Sequence, residues 1–220
     1  MRAGVTEPLR AFIQARMSSR RFPGKVLAPF RGAPLIHAVI HAVEQALPAV
    51  PIVVATSLHT SDDPLAAYVA SLEVPVFRGA LDRVFDRYLA CAATYPCRWI
   101  LRVNADSPLL GAAPLHAVTA HLGDPTLDLV TTTFPRTFPR GQNAELIRVG
   151  AMRSIDVAKM SPDDQEHVTQ FFYRNPSRFR ILNVESGDPS LAALSLAVDT
   201  LDDLRRLETA IDPASGAVRP

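Results

Sequence analysis

Short apolar runs rich in β-branched residues alternate along this chain with longer stretches of helical period. That alternation predicts a mainly parallel sheet covered by helices. The strand candidates are Leu9 to Ala15, Ile52 to Ala55, Val74 to Phe77, Trp99 to Val103, Leu127 to Thr131, Leu146 to Val149, Phe179 to Val184 and Leu194 to Val198. Between the first two, Pro34 opens a helix whose Leu35, Ile36, Val39, Ile40, Val43 and Leu47 share one apolar face. Asp62 or Asp63 caps a second helix, with Pro64 at its first position and Leu65, Tyr68, Val69 and Leu72 turned inward. Val84, Phe85, Tyr88 and Leu89 mark a third, and Leu115, Val118 and Leu122, after Pro114, a fourth. The first half therefore reads as four strand–helix pairs.

After Leu127 the rhythm breaks. The stretch FPRTFPRG is irregular, helical segments are expected around Ala151 to Ala158 and Asp164 to Tyr173, and the last strand feeds a capped helix. Thr200 is its cap, Asp203 stands three residues on, and Leu201, Leu204, Leu207 and Ile211 are expected on its buried face. The tail from Asp212 contains Pro, Ala and Gly and is expected to fray. FPR occurs twice, four residues apart, which is too close for a fold repeat. With no linker composition between elements, residues 1–211 are expected to form one domain, and 48% hydrophobic residues in 220 suffice for a full core.

Charge narrows the partners. A net charge of +1 excludes a broad nucleic-acid or anionic-membrane surface and leaves room for a local basic site, so small anions are the expected ligands. The N-terminal apolar run is short and interrupted by Arg10, Gln14 and Arg16, unlike a signal peptide, and no stretch approaches the ~18 apolar residues of a membrane helix. A soluble cytoplasmic protein is the expectation. Cys91 and Cys97 have neither the spacing of a metal or redox motif nor the density of a disulfide scaffold, and read as ordinary thiols. His37 and His41 are spaced as a metal pair would be, but HAVIH lacks the glutamate of H-E-x-x-H.

The local basic site is residues 13 to 27, IQARMSSRRFPGKVL, where an apolar strand runs into a turn holding Arg16, Arg20, Arg21 and Lys25. Only Lys25 and Lys159 among the 23 basic residues are lysines, so a lysine behind Pro23 and Gly24 is not simply the habitual cation of this chain. Arginine forks its donors around two phosphate oxygens, lysine supplies a compact movable charge, and Ser18, Ser19 and Gly24 let the backbone approach. The alternative is a solvated basic turn. It is not a Walker A loop, since Gly24 and Lys25 are followed by Val26. Read as a phosphate cation, Lys25 is expected to matter for turnover more than for folding.

In an open α/β sheet, ligands bind beyond the carboxyl ends of the strands. Asp106 follows the strand ending at Val103, and Asp199 follows the one ending at Val198. Two carboxylates so placed could hold one Mg²⁺ that bridges phosphate oxygens. Alone, Asp106 reads equally as a turn residue before Pro108, and Asp199 as part of a helix cap.

IQARMSSRRFPGKVL, VFRGALDRVFDRY, ILRVNADSPLL, RTFPRG, EHVTQFFYRNPSRFRILNVE and LAVDTLDDL occur in this order. Together they resemble blocks of the cytidylyltransferase family, which includes spore-coat polysaccharide synthesis proteins of the SpsF type and, more distantly, CMP-KDO and CMP-acylneuraminate synthetases. The resemblance covers residues 9 to 211. It implies a three-layer α/β/α nucleotidyltransferase fold of the glycosyltransferase-A kind, CTP as substrate, Mg²⁺ as cofactor and a homodimer. It also implies that Ala15, Arg16, Ser18, Arg20 and Lys25 meet the nucleotide phosphates, that Asp106 and Asp199 are metal ligands, and that Arg78, Gly79, Asp86 and Arg87 lie near the cytosine and ribose. Arg140, Glu166 and His167 fall toward the acceptor. Against these stand plainer roles: Arg78 as a solvated arginine, Glu166 as a complement to a helix dipole, and FPRTFPRG as a loop or subunit contact anchored by Phe134 and Phe138.

Two departures stand out. Ala105 replaces the glycine that usually precedes the metal aspartate, and Asn143 lies where relatives carry an acidic residue. The expected reaction is transfer of CMP from CTP to an acidic sugar or phosphorylated small molecule with release of pyrophosphate, in surface polysaccharide or glycoconjugate precursor synthesis. Arg16 and Lys25 would stabilise the leaving group, and no general base is assigned. The rivals are a sugar-nucleotide glycosyltransferase on the same fold and an inactive nucleotide-binding partner.

Overall fold

The computed structural model describes residues 7–210; Ile211 and the tail from Asp212 lie outside them. Strand β1 (Glu7–Gln14) leads through the basic loop to a small hairpin, β2 (Pro29–Phe30) and β3 (Ala33–Pro34). Arg31 and Gly32 turn that hairpin with φ 54° and 85°, the backbone of a two-residue turn with both centres left-handed. Then follow α1 (Leu35–Ala46), β4 (Ile52–Ser57), α2 (Asp63–Ser71), β5 (Val76–Gly79), α3 (Val84–Thr94), β6 (Cys97–Asn104) and α4 (Ala112–Thr119). The second half comprises β7 (Leu129–Thr131), β8 (Glu145–Arg148), α5 (Val149–Arg153), α6 (Pro162–Glu166), α7 (Gln170–Arg174), β9 (Ile181–Asn183) and α8 (Leu201–Ala210).

Seven strands form one sheet in the order β5-β4-β1-β6-β8-β7-β9. β1 is central: Ile13 stands opposite Val54 on one side and Val103 on the other, both pairings parallel. Only β8 runs against its neighbours, β6 and β7, so the sheet is mainly parallel as expected. Because successive side chains alternate across a strand, Ala11 and Ile13 enter one core with α1, α2, α4 and α8, while Phe12 enters the other with α3, α5 and α7. Two apolar layers on opposite faces of one sheet make the three-layer α/β/α architecture.

Several expected elements take another form. Leu194 to Val198 is not a strand: a 3-10 turn covers Pro189–Ala193, and only Ser195 bridges, to Arg140. Both edges of β6 are already paired, with β1 and β8, so this segment has no ladder to join there. It is instead fixed by Leu196 N–H on the Arg140 carbonyl (2.7 Å) and Val198 N–H on the Asp106 carbonyl (2.8 Å). Gly141, at φ 90°, permits the crossing, since a Cβ there would stand 2.6 Å from the Leu196 carbonyl carbon. The expected Asp164 to Tyr173 helix divides into α6 and α7. A Ser161–Asp164 capping box starts α6 at Pro162, and His167 turns extended (φ −107°, ψ 91°) to end it. The Ala151 to Ala158 helix likewise shortens to α5 and a 3-10 turn capped by Asp156. Leu122 lies beyond α4 but still packs on the core, whereas Leu201 is 43% exposed rather than buried.

Candidate active site

The carboxyl ends of β1 and β6 open into a cavity of about 460 Å³, lined among others by Ala15, Arg16, Arg20, Lys25, Asp106 and Asp199. Its basic loop is folded back on itself. Gly24 N–H donates to the Met17 carbonyl at 2.8 Å, and Gly24 takes φ 76°, which a side chain would strain. Ser19 lines the cavity, while Ser18 is exposed and outside its lining.

The loop is anchored by Asp62, which the sequence offers as a helix cap. Asp62 has no capping bond to α2, and Pro64 falls at the second helical position rather than the first. Its fully buried carboxylate accepts from Met17 N–H (2.8 Å), Thr56 Oγ1 (3.0 Å), Ser57 N–H (3.1 Å) and the Ser57 hydroxyl. Burial alone would raise its pKa, but these hydrogen bonds from Ser57, Met17 and Thr56 outweigh it and hold the group below the usual aspartate value.

Lys25 is buried, and each of its three ammonium donors has an acceptor: Asp106 Oδ2 at 2.9 Å, the Val198 carbonyl at 2.7 Å and Asp199 Oδ1 at 3.3 Å. Its expected role as a cation without structural duty is thereby corrected, because it joins the basic loop, the end of β6 and the segment before α8. Asp199 also meets Arg21 at 2.8 Å and Arg140 at 3.0 Å. The two aspartates are brought together as expected, although Asp199 arrives on a bridged loop rather than a strand. Thr200 and Asp203 form the predicted cap of α8, with the Thr200 and Asp203 N–H groups each bonded to the other's side chain.

Other expected residues divide. Arg16 pairs with Glu166 at 2.8 Å, so a phosphate candidate and an acceptor candidate neutralise each other, and the Arg16 hydrogen bond holds the Glu166 carboxyl below its ordinary pKa. Arg78, Gly79, Asp86 and Arg87 do not line this cavity. Arg78 is engaged by the Ser57 and His59 carbonyls and by Asp63 at 2.6 Å. Arg87 is buried against the carbonyls of Ala80 and Leu81, and Gly79 makes room for it, since a Cβ would lie 2.9 Å from Arg87 Cγ. Asp86 pairs with Arg83 on the surface of α3. Gly79 and Arg87 thus shape the β5–α3 turn, while Arg78 ties β5 to the β4–α2 connection.

A second cavity, about 230 Å³, adjoins the first and shares Arg102, Asn104 and His167 with it. Of its walls sequence reasoning named His167 as an acceptor candidate and overlooked Arg102, Glu145 and Tyr173. Arg102 forms a buried ion pair with Glu145, whose other oxygen accepts from Thr169 (2.8 Å) and Tyr173. Burial and then Glu145 push the Tyr173 hydroxyl pKa up, keeping it a neutral donor. A charged residue opening the ELIR strand directly before the apolar Leu146 and Ile147 was the one available signal. Phe138 is buried, while Phe134 stacks on Tyr173 with ring centroids 4.6 Å apart. Arg140 faces Asp199 instead of this cavity. A larger cavity, about 670 Å³, lies at the other end of β6 beside Cys97 and Arg148 and shares no lining residue with these two.

The donor set at the first cavity suits a hard divalent cation. Asp106 and Asp199 both aim carboxylate oxygens at one ammonium, a point that already stabilises positive charge. Among the described residues no cluster of three or more His, Cys, Asp or Glu side chains forms a metal cage. Two carboxylates, with the rest of the coordination left to water and phosphate oxygens, match the habit of Mg²⁺.

A family model for cytidylyltransferase matches residues 11–208. The spore coat polysaccharide biosynthesis protein SpsF of Bacillus subtilis (strain 168) is 29% identical over 202 residues, covering 89% of this chain and 83% of its own length. The solved structure of a cytidylyltransferase from Leptospira borgpetersenii serovar Hardjo-bovis (strain JB197) has a TM-score of 0.87 at 26% identity, over 93% of this chain and 86% of that one. A CMP:2-keto-3-deoxy-manno-octonic acid synthetase, solved in complex with CTP, shares the fold at a TM-score of 0.72 and 18% identity, over 92% and 98% of the two chains. The family match runs from the middle of β1 into α8 and takes in both aspartates and the whole basic loop, and this chain belongs to the cytidylyltransferase family.

Proposed function

We propose that this chain, as one catalytic domain working as a cytoplasmic homodimer, transfers CMP from CTP to an anionic small-molecule acceptor in surface polysaccharide or glycoconjugate precursor synthesis. An acceptor oxygen attacks the α-phosphorus, the bond to the β-phosphate oxygen breaks, and pyrophosphate leaves. The observation that carries this reading is the convergence of Lys25, Asp106 and Asp199 beside the Arg16–Arg21 loop at the carboxyl edge of a parallel sheet. Asp106 and Asp199 would hold Mg²⁺, which when bound neutralises phosphate charge and polarises the α-phosphate. Arg16, Arg20 and Lys25 supply positive charge to the departing pyrophosphate, and the partly exposed Arg16–Glu166 pair exchanges its carboxylate for phosphate at small cost. The polysaccharide context comes from the description of the Bacillus relative. No helix among the described residues is long and apolar enough to cross a membrane.

Calorimetry with CTP, UTP, ATP and GTP in the presence of Mg²⁺ tests the nucleotide. CTP is expected to bind at least tenfold tighter than the rest, because a site that hydrogen-bonds the right base leaves buried groups unpaired with a wrong one. Equal or tighter binding of UTP or a purine nucleotide overturns the assignment. Pyrophosphate release with a panel of sugar acids and sugar phosphates then distinguishes cytidylyl transfer from glycosyl transfer.

A further inference from the structure

We infer that the 230 Å³ cavity receives the acceptor, that Arg136 grips an anionic group on it, and that Asn143 is the residue that leaves Arg136 free to do so. The inference rests on the cytidylyl-transfer reading of the adjoining cavity and specifies the acceptor's chemistry.

Charge carries the argument. Arg102, Glu145 and Arg136 all line this cavity. Arg102 and Glu145 cancel in a buried pair. Arg136 forms no ion pair among the described residues, and its one side-chain hydrogen bond goes from Nη1 to the neutral amide oxygen of Asn143. A half-buried guanidinium without a counter-charge is an expensive arrangement unless an anion arrives to complete it. Burial and then Arg140 lower the Arg136 pKa against a weaker opposing pull from Glu145, a carboxylate already engaged by Arg102, yet an arginine stays charged at any physiological pH. A carboxylate at position 143 would neutralise Arg136 from inside the protein, and the amide holds the same guanidinium in place without doing so.

The remaining lining defines the rest of the acceptor. Thr133, Gln170, Tyr173 and Asn104 present hydroxyl and amide groups, the partners of a polyhydroxylated molecule. The volume lies below the range of about 300 to 1,000 Å³ that holds drug-sized ligands, which fits a single sugar-sized acid. Shared walls at Asn104 and His167 bring such an occupant against the nucleotide cavity.

The test uses the full chain saturated with Mg²⁺ and a CTP analogue that cannot be cleaved between the α- and β-phosphates. Three probes are titrated: D-gluconate, sorbitol 6-phosphate, and sorbitol as the neutral counterpart. At least one anion is expected to bind about tenfold or more tightly than sorbitol, as one charged hydrogen bond warrants, and the tighter of the two identifies the group as carboxylate or phosphate. Asn143→Asp and Arg136→Gln each remove the preference for the anion over sorbitol while affinity for the CTP analogue is kept. Thermal melts establish that each variant is folded. Equal binding of all three probes, binding of none, or a preference that survives Arg136→Gln overturns the inference. Nucleotide selectivity is read in a separate titration, so failure of the anion site leaves the CTP assignment standing and the two failures are told apart.

Discussion

Lys25 and Arg102 both end on carboxylates at the carboxyl edge of the sheet, and both line the cavity of about 460 Å³. Lys25 divides its donors between Asp106, Asp199 and a carbonyl, and Asp199 is further met by Arg21 and Arg140, whose side chains are 63% and 56% exposed. Arg102 faces one carboxylate, Glu145, whose side chain is only 5% exposed and which Thr169 and Tyr173 also bind. Exposed arginines contribute little to stability and trade a carboxylate for a phosphate readily. A buried pair is different: its charges were desolvated on folding, and removing one partner strands the other. The first centre is therefore suited to exchanging partners during catalysis, and the second forms a fixed wall between the two adjoining cavities.

The sharpest way to break this contrast is Glu145→Gln. It leaves Arg102 buried without its counter-charge and is expected to cost about 3 to 5 kcal/mol of stability. For a chain of this size that is a fall in Tm of roughly 6 to 20 °C, read by thermal melt and by urea denaturation. Replacing the pair together, Arg102→Met with Glu145→Leu, is expected to recover most of the loss, since neither charge remains. A single variant as stable as the parent would show that the pair is not the wall described.

The labile centre responds in the opposite sense. Asp106→Asn and Asp199→Asn are expected to lower turnover by a hundred- to a thousandfold, about 2.7 to 4 kcal/mol of transition-state stabilisation, with stability changed by less than Glu145→Gln changes it. Pyrophosphate release across a Mg²⁺ titration measures the first quantity and a melt the second. Lys25→Ala bridges the two behaviours. It removes one charged contact, worth roughly ten- to a hundredfold in rate, and also leaves Asp106, Asp199 and the Val198 carbonyl short of a donor, so a loss of about 1 to 3 kcal/mol in stability accompanies it. Full activity in either aspartate variant would remove that residue from the metal site.

The first half of the chain was largely legible because each element there has one clean period. Leu35, Ile36, Val39, Ile40 and Val43 repeat at helical spacing and are all buried in α1, and β4 is buried at every position between two parallel neighbours. The second half resisted because its units are shorter than a period can reveal: α5, α6 and α7 have five residues each, and β7 and β9 three. Val198 is fully buried and looks like strand core, yet its neighbours close on Gly141 and Arg140 instead of a strand. At the site, charged residues were recognised by type but not by partner. Arg102 and Glu145 are 43 positions apart, Arg16 and Glu166 150 apart, and no linear spacing joins either pair. Asp62 was misread for a related reason: in Asp-Asp-Pro the local chemistry of a cap is as good as that of a buried hub.

Asp62 gives the smallest expected effect and ties the Lys25 centre to the fold, since its bond to Met17 N–H fixes the loop that carries Arg16 and Lys25. Asp62→Asn keeps the shape but loses a charged acceptor of four hydrogen bonds, at an expected cost of about 1 to 3 kcal/mol at neutral pH. The pH dependence has a definite sign. Because the folded-state pKa is depressed below the ordinary 3.8, the unfolded chain takes up the proton first as pH falls. The stabilisation from Asp62 is thus complete above about pH 5 and declines as pH drops through 3.8 toward the folded value, vanishing below it. Urea midpoints of parent and variant, compared from pH 7 to pH 3, isolate this group because every other carboxylate is common to both. The gap is expected to be constant above pH 5 and to shrink below pH 4. A gap that stays constant to pH 3 would mean that the charge of Asp62 is not what holds the loop, and that the neutral acid anchors Met17 as well as the carboxylate does.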